Sequence, residues 1–202
     1  QEGRFDQRQK EPVPLLINLT ILFLTFDDRR CRIVYNNKND RIHFEIRIKK
    51  SEAGETVMKT ISVQEITAVT RKLCMDVNYD LPGDVEQALQ DGLKQEESSF
   101  GQYCLEQILQ NCQMAREHQQ AMCQDTGIAV VYLEVGQDVH IVGGSLTEAI
   151  HEGVRQGYED GYLRKSVVAE PLFGRDNTGD NTPAVIHTEI VPGEQLRIMV
   201  VP

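Results

Sequence analysis

Met122-Cys123-Gln124-Asp125-Thr126-Gly127-Ile128-Ala129-Val130-Val131-Tyr132-Leu133-Glu134-Val135 carries the change of period that decides the fold. Before it, Tyr103, Cys104, Leu105, Ile108, Leu109, Cys112 and Ala115 recur at helical spacing, and that helix is expected to run to about Gln120. After Gly127 comes an unbroken β-branched and apolar run, the composition of a strand. A helical segment followed by a mixed or antiparallel sheet with a packed helix is an α+β arrangement. The same junction lines up a thiol, an amide, a carboxylate and a hydroxyl, and rigid elements on both sides can aim such groups at one point.

Downstream, Gly136-Gln137-Asp138 is turn material and Val139-His140-Ile141-Val142 resumes the strand pattern, so an antiparallel hairpin is expected. Ser145-Leu146-Thr147-Glu148 forms a capping box that opens a helix to about Leu163. The preceding Gly143-Gly144 suits a tight turn better than an anion seat, because no lysine follows and Ser145 already caps. Arg164-Lys165-Ser166 closes the helix with two cations. They either complement the helix dipole or clamp a carboxylate, and the spacing does not choose between these. Val167-Val168 and Ala184 to Val191 are strand-like around a polar loop, Gly174 to Pro183, and Val191-Pro192-Gly193-Glu194 turns into a last strand, Leu196 to Val201. His187 alternates within its strand as a structural or exposed residue.

Upstream, Ser62-Val63-Gln64-Glu65 is another capping box, and Val63, Ile66, Val69 and Leu73 make one apolar helical face. Leu81-Pro82-Gly83-Asp84 breaks the chain, with Asp84 as the expected N-cap of a helix over Val85, Ala88, Leu89 and Leu93. Residues 1–57 lack such order, apart from an alternating stretch, Arg41 to Ile48, without an evident partner strand. The character changes at Met58, and residues 1–57 are expected to be an upstream extension, or alternatively a folded accessory domain. Residues 58–202 then form the main domain, expected to be truncated because Pro202 follows directly on an apolar strand.

The 202 residues carry a formal net charge of −10, which disfavours nucleic acid and anionic membranes as partners. That charge resides in the main domain: residues 1–57 hold 11 Lys and Arg against 9 Asp and Glu, residues 58–202 hold 10 against 22. Five cysteines without a CxxC pair point to free thiols and a cytoplasmic setting. The apolar run from Leu15 to Phe26 is too short to span a bilayer, and the Asn18-Leu19-Thr20 sequon is then incidental. Cys104 and Cys112, on one helical face but more than two turns apart, read as small buried hydrophobes, as does Cys74. His118, near a helix C-terminus, suits a capping role.

Cys123 allows three readings. As a nucleophile it would need a nearby base, and the Asp125 carboxylate two residues on opposes thiolate formation. As an iron–sulfur ligand it would lose its proton to the metal. It could also be a plain buried residue before an Asp-Thr-Gly turn.

Three motifs in order extend beyond this one residue: Cys123-Gln124-Asp125-Thr126-Gly127 before an apolar strand, Gly157 to Ser166, and Asn177-Thr178-Gly179-Asp180-Asn181-Thr182-Pro183 with His187. Together they closely resemble the α-region of the class I (iron–sulfur) fumarate hydratases and the related tartrate dehydratases, from about Met58 to Pro202. The resemblance implies that Cys123 is the first of three cysteines holding a [4Fe-4S] cluster with one open iron. It also implies that Gln124 and Asp125 line the substrate pocket, with Asp125 as catalytic acid or proton relay, and that Arg164 binds a substrate carboxylate. The two remaining ligands are expected beyond Pro202, and the catalytic base in a β-region, fused or separate.

These implications define an iron–sulfur hydro-lyase interconverting fumarate and (S)-malate, expected to be inactive as this chain alone because one thiolate cannot retain four irons. L-tartrate dehydratase is the close alternative, an assembly module for a β-subunit comes from a different class, and a cysteine-dependent transferase is more distant. A small dicarboxylate substrate, a β-subunit and a homodimer of such units are the implied partners.

Overall fold

The computed structural model describes residues 59–202 and, before them, the backbone of five short strands: β1 (Thr25–Asp27), β2 (Arg30–Arg32), β3 (Tyr35–Asn36), β4 (Arg41–Ile42) and β5 (Ile46–Arg47). β1 pairs antiparallel with β2 and parallel with β5. β3 pairs antiparallel with β4, so the Arg41–Ile48 stretch does have a partner at its start, although the positions between β4 and β5 lie outside the described residues. Met58, the sequon and the Cys31 side chain lie outside them too.

The main body opens with β6 (Lys59–Ser62), which feeds directly into α1 (Val63–Tyr79). Both halves of the Ser62 box form: Ser62 Oγ accepts from the Glu65 amide at 3.2 Å, and the Glu65 carboxylate accepts from the Ser62 amide at 2.9 Å. Two orphan amides of the first turn are thereby satisfied. Val63, Ile66, Val69 and Leu73 are all buried, as their spacing requires.

α4 (Leu146–Asp160) lies along α1, and the contacts ascend in step on both helices, so the two run in the same direction. Thr67 Oγ1 donates to the Ala149 carbonyl at 2.9 Å, Gly157 faces Cys74, and Tyr79 Oη donates to the Gly161 carbonyl at 3.1 Å. Glycine is what permits this approach, since a Cβ on Gly157 would stand 2.7 Å from Cys74 Cβ. Ser145 caps α4 by accepting from the Glu148 amide at 3.4 Å, but only this half of the expected box forms.

The central sheet has the order β10 (Leu196–Val201), β7 (Val130–Gly136), β9 (Val185–Val191), with β7 antiparallel to β10 and parallel to β9. It is therefore a mixed sheet in an α+β fold. Val131 and Leu133 of β7 and Leu196, Ile198 and Val200 of β10 alternate into the core beneath α1.

The expected hairpin of β7 with β8 (Val139–Val142) does not form; β8 pairs in parallel with β6. The β9–β10 turn takes the amides of the connection: Gly136, Gln137 and Asp138 donate to the carbonyls of Gln195, Val191 and Gly193 at 2.7, 2.9 and 2.9 Å. A Cβ on Gly136 would collide with the Gly193 carbonyl, so glycine admits that turn and the chain leaves the sheet there. Val167-Val168 yields no strand, only a bridge from Val168 to Asn177.

α2 (Gly83–Gln95) and α3 (Ser99–His118) form a separate helical pair, fastened to the end of α1 by Arg116, which bonds Asp80 at 2.5 Å and Glu86 at 2.8 Å. The N-cap of α2 is Pro82 and not Asp84, whose carboxylate instead accepts from the next amide, Val85, at 2.8 Å. Proline's fixed φ already sets the entry to the helix. None of the α2 apolar positions is buried, and of those expected on α3 only Cys112 and Ala115 are. No helix among the described residues is long and apolar enough to cross a membrane.

Candidate functional site

α3 ends at Gln119, which adopts φ 53°, and the chain turns back toward the sheet. The Met122 amide donates to the Asn78 carbonyl at 2.9 Å, and Asn111 Nδ2 donates to the Met122 carbonyl at 2.8 Å. With one residue tied to both α1 and α3, Cys123 emerges from a rigid base. It is exposed, and its sulfur accepts from the Asp125 amide at 3.4 Å.

Cys123, Gln124 and Thr126 line one side of a cleft of about 550 Å³, with Gly161, Tyr162 and Arg164 on the other. Residues about 40 positions apart in sequence thus face the same space. Asp125 is exposed on the same turn but is not part of that lining.

The two cations after α4 have different fates. Lys165 pairs with Glu159. Arg164 is exposed and, among the described residues, is the one arginine whose side chain makes no hydrogen bond or ion pair; Arg71, Arg116, Arg155, Arg175 and Arg197 are each engaged. An unpaired guanidinium in a cleft has its donor fork available for a carboxylate.

Thr126 and Asn181 tie the Arg164 loop directly to the Cys123 loop, and Tyr158 and Asn177 each brace one of the two. Thr126, 1% exposed, donates from Oγ1 to the Arg164 carbonyl at 2.7 Å, and Tyr158 Oη donates to the Thr126 carbonyl at 2.7 Å. Asn177 Nδ2 donates to the Lys165 carbonyl at 2.8 Å, and Asn181 bonds both loops. Burial raises the Tyr158 hydroxyl well above its ordinary value, with the nearby Cys74 adding to it, so Tyr158 stays neutral and a donor. The sequence marked the asparagine-rich stretch as a polar loop and as one of three ordered motifs, without assigning these ties to Asn177 and Asn181. The signal was the unusual density of Asn and Asp there, side chains that readily bond backbone groups.

The other described cysteines are no part of the cleft. Burial pushes the Cys74 thiol up to about 12 and raises that of Cys112, with Glu86 contributing. Cys104 is half-buried on α3. Among the described residues no group of three or more His, Cys, Asp or Glu side chains converges as a metal site. Cys123 fits the part of a single exposed thiolate ligand; a four-iron cluster would need further ligands from outside the described residues. His187 stacks on Tyr132 with ring centroids 4.9 Å apart, and His118 closes α3, both away from the cleft lining.

A fumarate hydratase (Fumerase) family model matches residues 67–202. The chain is similar to the putative L(+)-tartrate dehydratase subunit alpha of Methanocaldococcus jannaschii, 34% identical over 125 residues, which is 60% of this chain and 44% of that one. It is 30% identical over 150 residues to the anaerobic class I fumarate hydratase of Escherichia coli, covering 73% of this chain and 27% of the relative. With the L(+)-tartrate dehydratase subunit alpha of Escherichia coli it shares 27% identity over 124 residues, covering 61% and 40%. The chain therefore spans less than half the length of each of these relatives.

Proposed function

The chain belongs to the fumarate hydratase (Fumerase) family, and from that premise we propose that it supplies one wall of the active site of an iron–sulfur hydro-lyase acting on a small dicarboxylate. The observation that carries this reading is Arg164, unpaired in the cleft that Cys123 lines.

In the proposed site, Arg164 binds one substrate carboxylate and sets the molecule's orientation, while the Gln124 amide offers both a donor and an acceptor beside it. Asp125, exposed on the same turn but outside the cleft lining, is the proposed acid or proton relay for the departing hydroxyl, and for water in the hydration direction. Cys123 is one ligand of a [4Fe-4S] cluster, the other two thiolates coming from outside residues 59–202. When bound, such a cluster supplies a Lewis-acidic iron for the substrate hydroxyl. The base that removes the carbon-bound proton belongs to a β-region, fused or separate, and assembly with it is part of the proposal, as is a homodimer of such units.

Reversible hydration of fumarate to (S)-malate is the proposed reaction. Dehydration of L-tartrate is the second reading, favoured by the 34% identity to a tartrate dehydratase subunit alpha. Anaerobic reconstitution of the assembled enzyme with iron and sulfide, followed by assays with both substrates, decides between them. Cys123→Ala should abolish cluster binding and turnover, and Arg164→Ala should raise KM by about 10- to 100-fold, the scale of a lost charge-assisted contact. Undiminished activity in Cys123→Ala would overturn the proposal.

A further inference from the structure

Asn181 has no exposed surface and adopts φ 61°, a region that non-glycine side chains enter sparingly and asparagine more readily than most. Its Oδ1 accepts from the amides of Ser166 at 2.7 Å and Val167 at 3.1 Å, the two residues that follow the Arg164-Lys165 pair. Its Nδ2 donates to the Gly127 carbonyl at 3.1 Å, four residues after Cys123. Two converging amides identify the oxygen end of the side chain, so the amide orientation is dictated by its surroundings.

The backbone at Asn181 is itself braced. The preceding Asp180 carboxylate accepts from Arg155 Nε of α4 at 2.9 Å, from the Thr182 amide at 3.0 Å and from Thr182 Oγ1 at 2.7 Å. α4 thus carries both the helix end from which Arg164 departs and the arginine that steadies the residue holding the next stretch of chain.

We infer that Asn181 is a positioning residue that sets the separation between the Arg164 guanidinium and the Cys123 sulfur by tying the two cleft loops together. The inference rests on the proposed site, in which these two side chains serve one substrate. Asn181 is buried behind the cleft and is not part of its lining. Without it, among the described residues, the remaining direct hydrogen bond between the loops is that from Thr126 to the Arg164 carbonyl. A site that holds its groups to a fraction of an ångström needs such buried supports.

A pair of thiol reagents of equal size tests this on the chain as it stands. Iodoacetate and iodoacetamide both transfer a carbon to a thiolate, forming C–S as C–I breaks and iodide leaves, with the thiol proton lost to solvent. They differ in the carboxylate that Arg164 can attract. Alkylation of the Cys123 peptide is followed by mass spectrometry, and the iodoacetate-to-iodoacetamide rate ratio is normalised to free cysteine.

The wild-type chain should show a ratio raised by roughly tenfold, the scale of one charge-assisted contact. Arg164→Ala should return it to about one. Asn181→Asp keeps an acceptor for Ser166 and Val167 but turns a second oxygen toward the Gly127 carbonyl. It should lose most of the enhancement while the iodoacetamide rate stays near wild type; a carboxylate buried against the Gly127 carbonyl lowers the circular dichroism melt, which should remain a single cooperative transition. Thr126→Val, of the same shape but without the donor, should reduce the ratio independently. A folded Asn181→Asp that keeps the full enhancement, alongside a wild type that depends on Arg164, overturns the positioning role and leaves the carboxylate site standing. A wild-type ratio equal to that of Arg164→Ala removes the carboxylate clamp and the inference with it.

Discussion

Replacing Gly157 by alanine should destabilise the protein, although alanine is the better helix former. A Cβ at this position stands 2.7 Å from Cys74 Cβ and 2.8 Å from the Arg71 carbonyl oxygen, against a comfortable carbon contact of about 3.5 Å or more. α4 must therefore retreat from α1 by several tenths of an ångström, and neither neighbour can step aside. One is backbone and the other is a side-chain root buried among Tyr158, Leu73 and Val154.

Overpacking of this kind costs about 1–3 kcal/mol, and the intrinsic helix gain of alanine over glycine returns about 1 kcal/mol. The expected net effect is therefore a loss of up to about 2 kcal/mol. Gly92 of α2 is the matched control, because nothing lies within 4 Å of its Cβ position. There the same substitution should stabilise by up to about 1 kcal/mol. Urea unfolding followed by circular dichroism gives both values, with the slope checked for equality across the variants. A Gly157→Ala chain as stable as Gly92→Ala would refute the close parallel packing of α1 and α4, and with it the placement of Tyr158 beneath the cleft.

Tyr158→Phe removes the donor to the Thr126 carbonyl while filling the same volume, and should cost about 1–3 kcal/mol in the same urea titration for an unsatisfied buried acceptor. At Asp180 burial works against the charge, but hydrogen bonds from Thr182 and Arg155 hold the carboxyl well below the usual carboxylate range. A depressed folded-state pKa contributes stability that is present above the unfolded value of about 3.9 and lost as pH falls through the folded one. Acid unfolding should accordingly be less steep in Asp180→Asn, and identical acid limbs would speak against the bracing of Asn181. Among Cys74, Cys104, Cys112 and Cys123, Cys123 should react first with a disulfide reagent at pH 8, and Cys74, its thiol pushed up to about 12, should stay silent until the chain unfolds. Prompt modification of Cys74, followed by peptide mapping, would contradict its burial.

The elements that could be read in advance are those whose bonds close within a few residues. The Ser62 box, the buried face of α1 and the alternation in β7 and β10 all follow from neighbours along the chain. The site was partly legible for a related reason: Cys123 and Gln124 sit at a change of period, and the three ordered motifs connected them to Arg164. The α2 cap was misplaced because Pro82 and Asp84 are both credible starts. The expected face of α3 left Tyr103 57% exposed, since amphipathic spacing names a face without naming what covers it.

By itself, then, the amino-acid sequence determined the helices, most of the strands and the α+β class, because caps, periodicity and turn chemistry act over about one turn of chain; Cys123, Gln124 and Arg164 were singled out by the three ordered motifs, and Asp125, expected with them, lies outside the cleft lining. Only the tertiary structure decided that β8 pairs with β6 and not with β7, that Lys165 is neutralised by Glu159 while Arg164 stays unpaired, and that Asn181 joins two loops. Each of these is a choice between partners of similar local merit. It is settled by which backbone groups remain unsatisfied once the core has closed, and that depends on the whole chain at once.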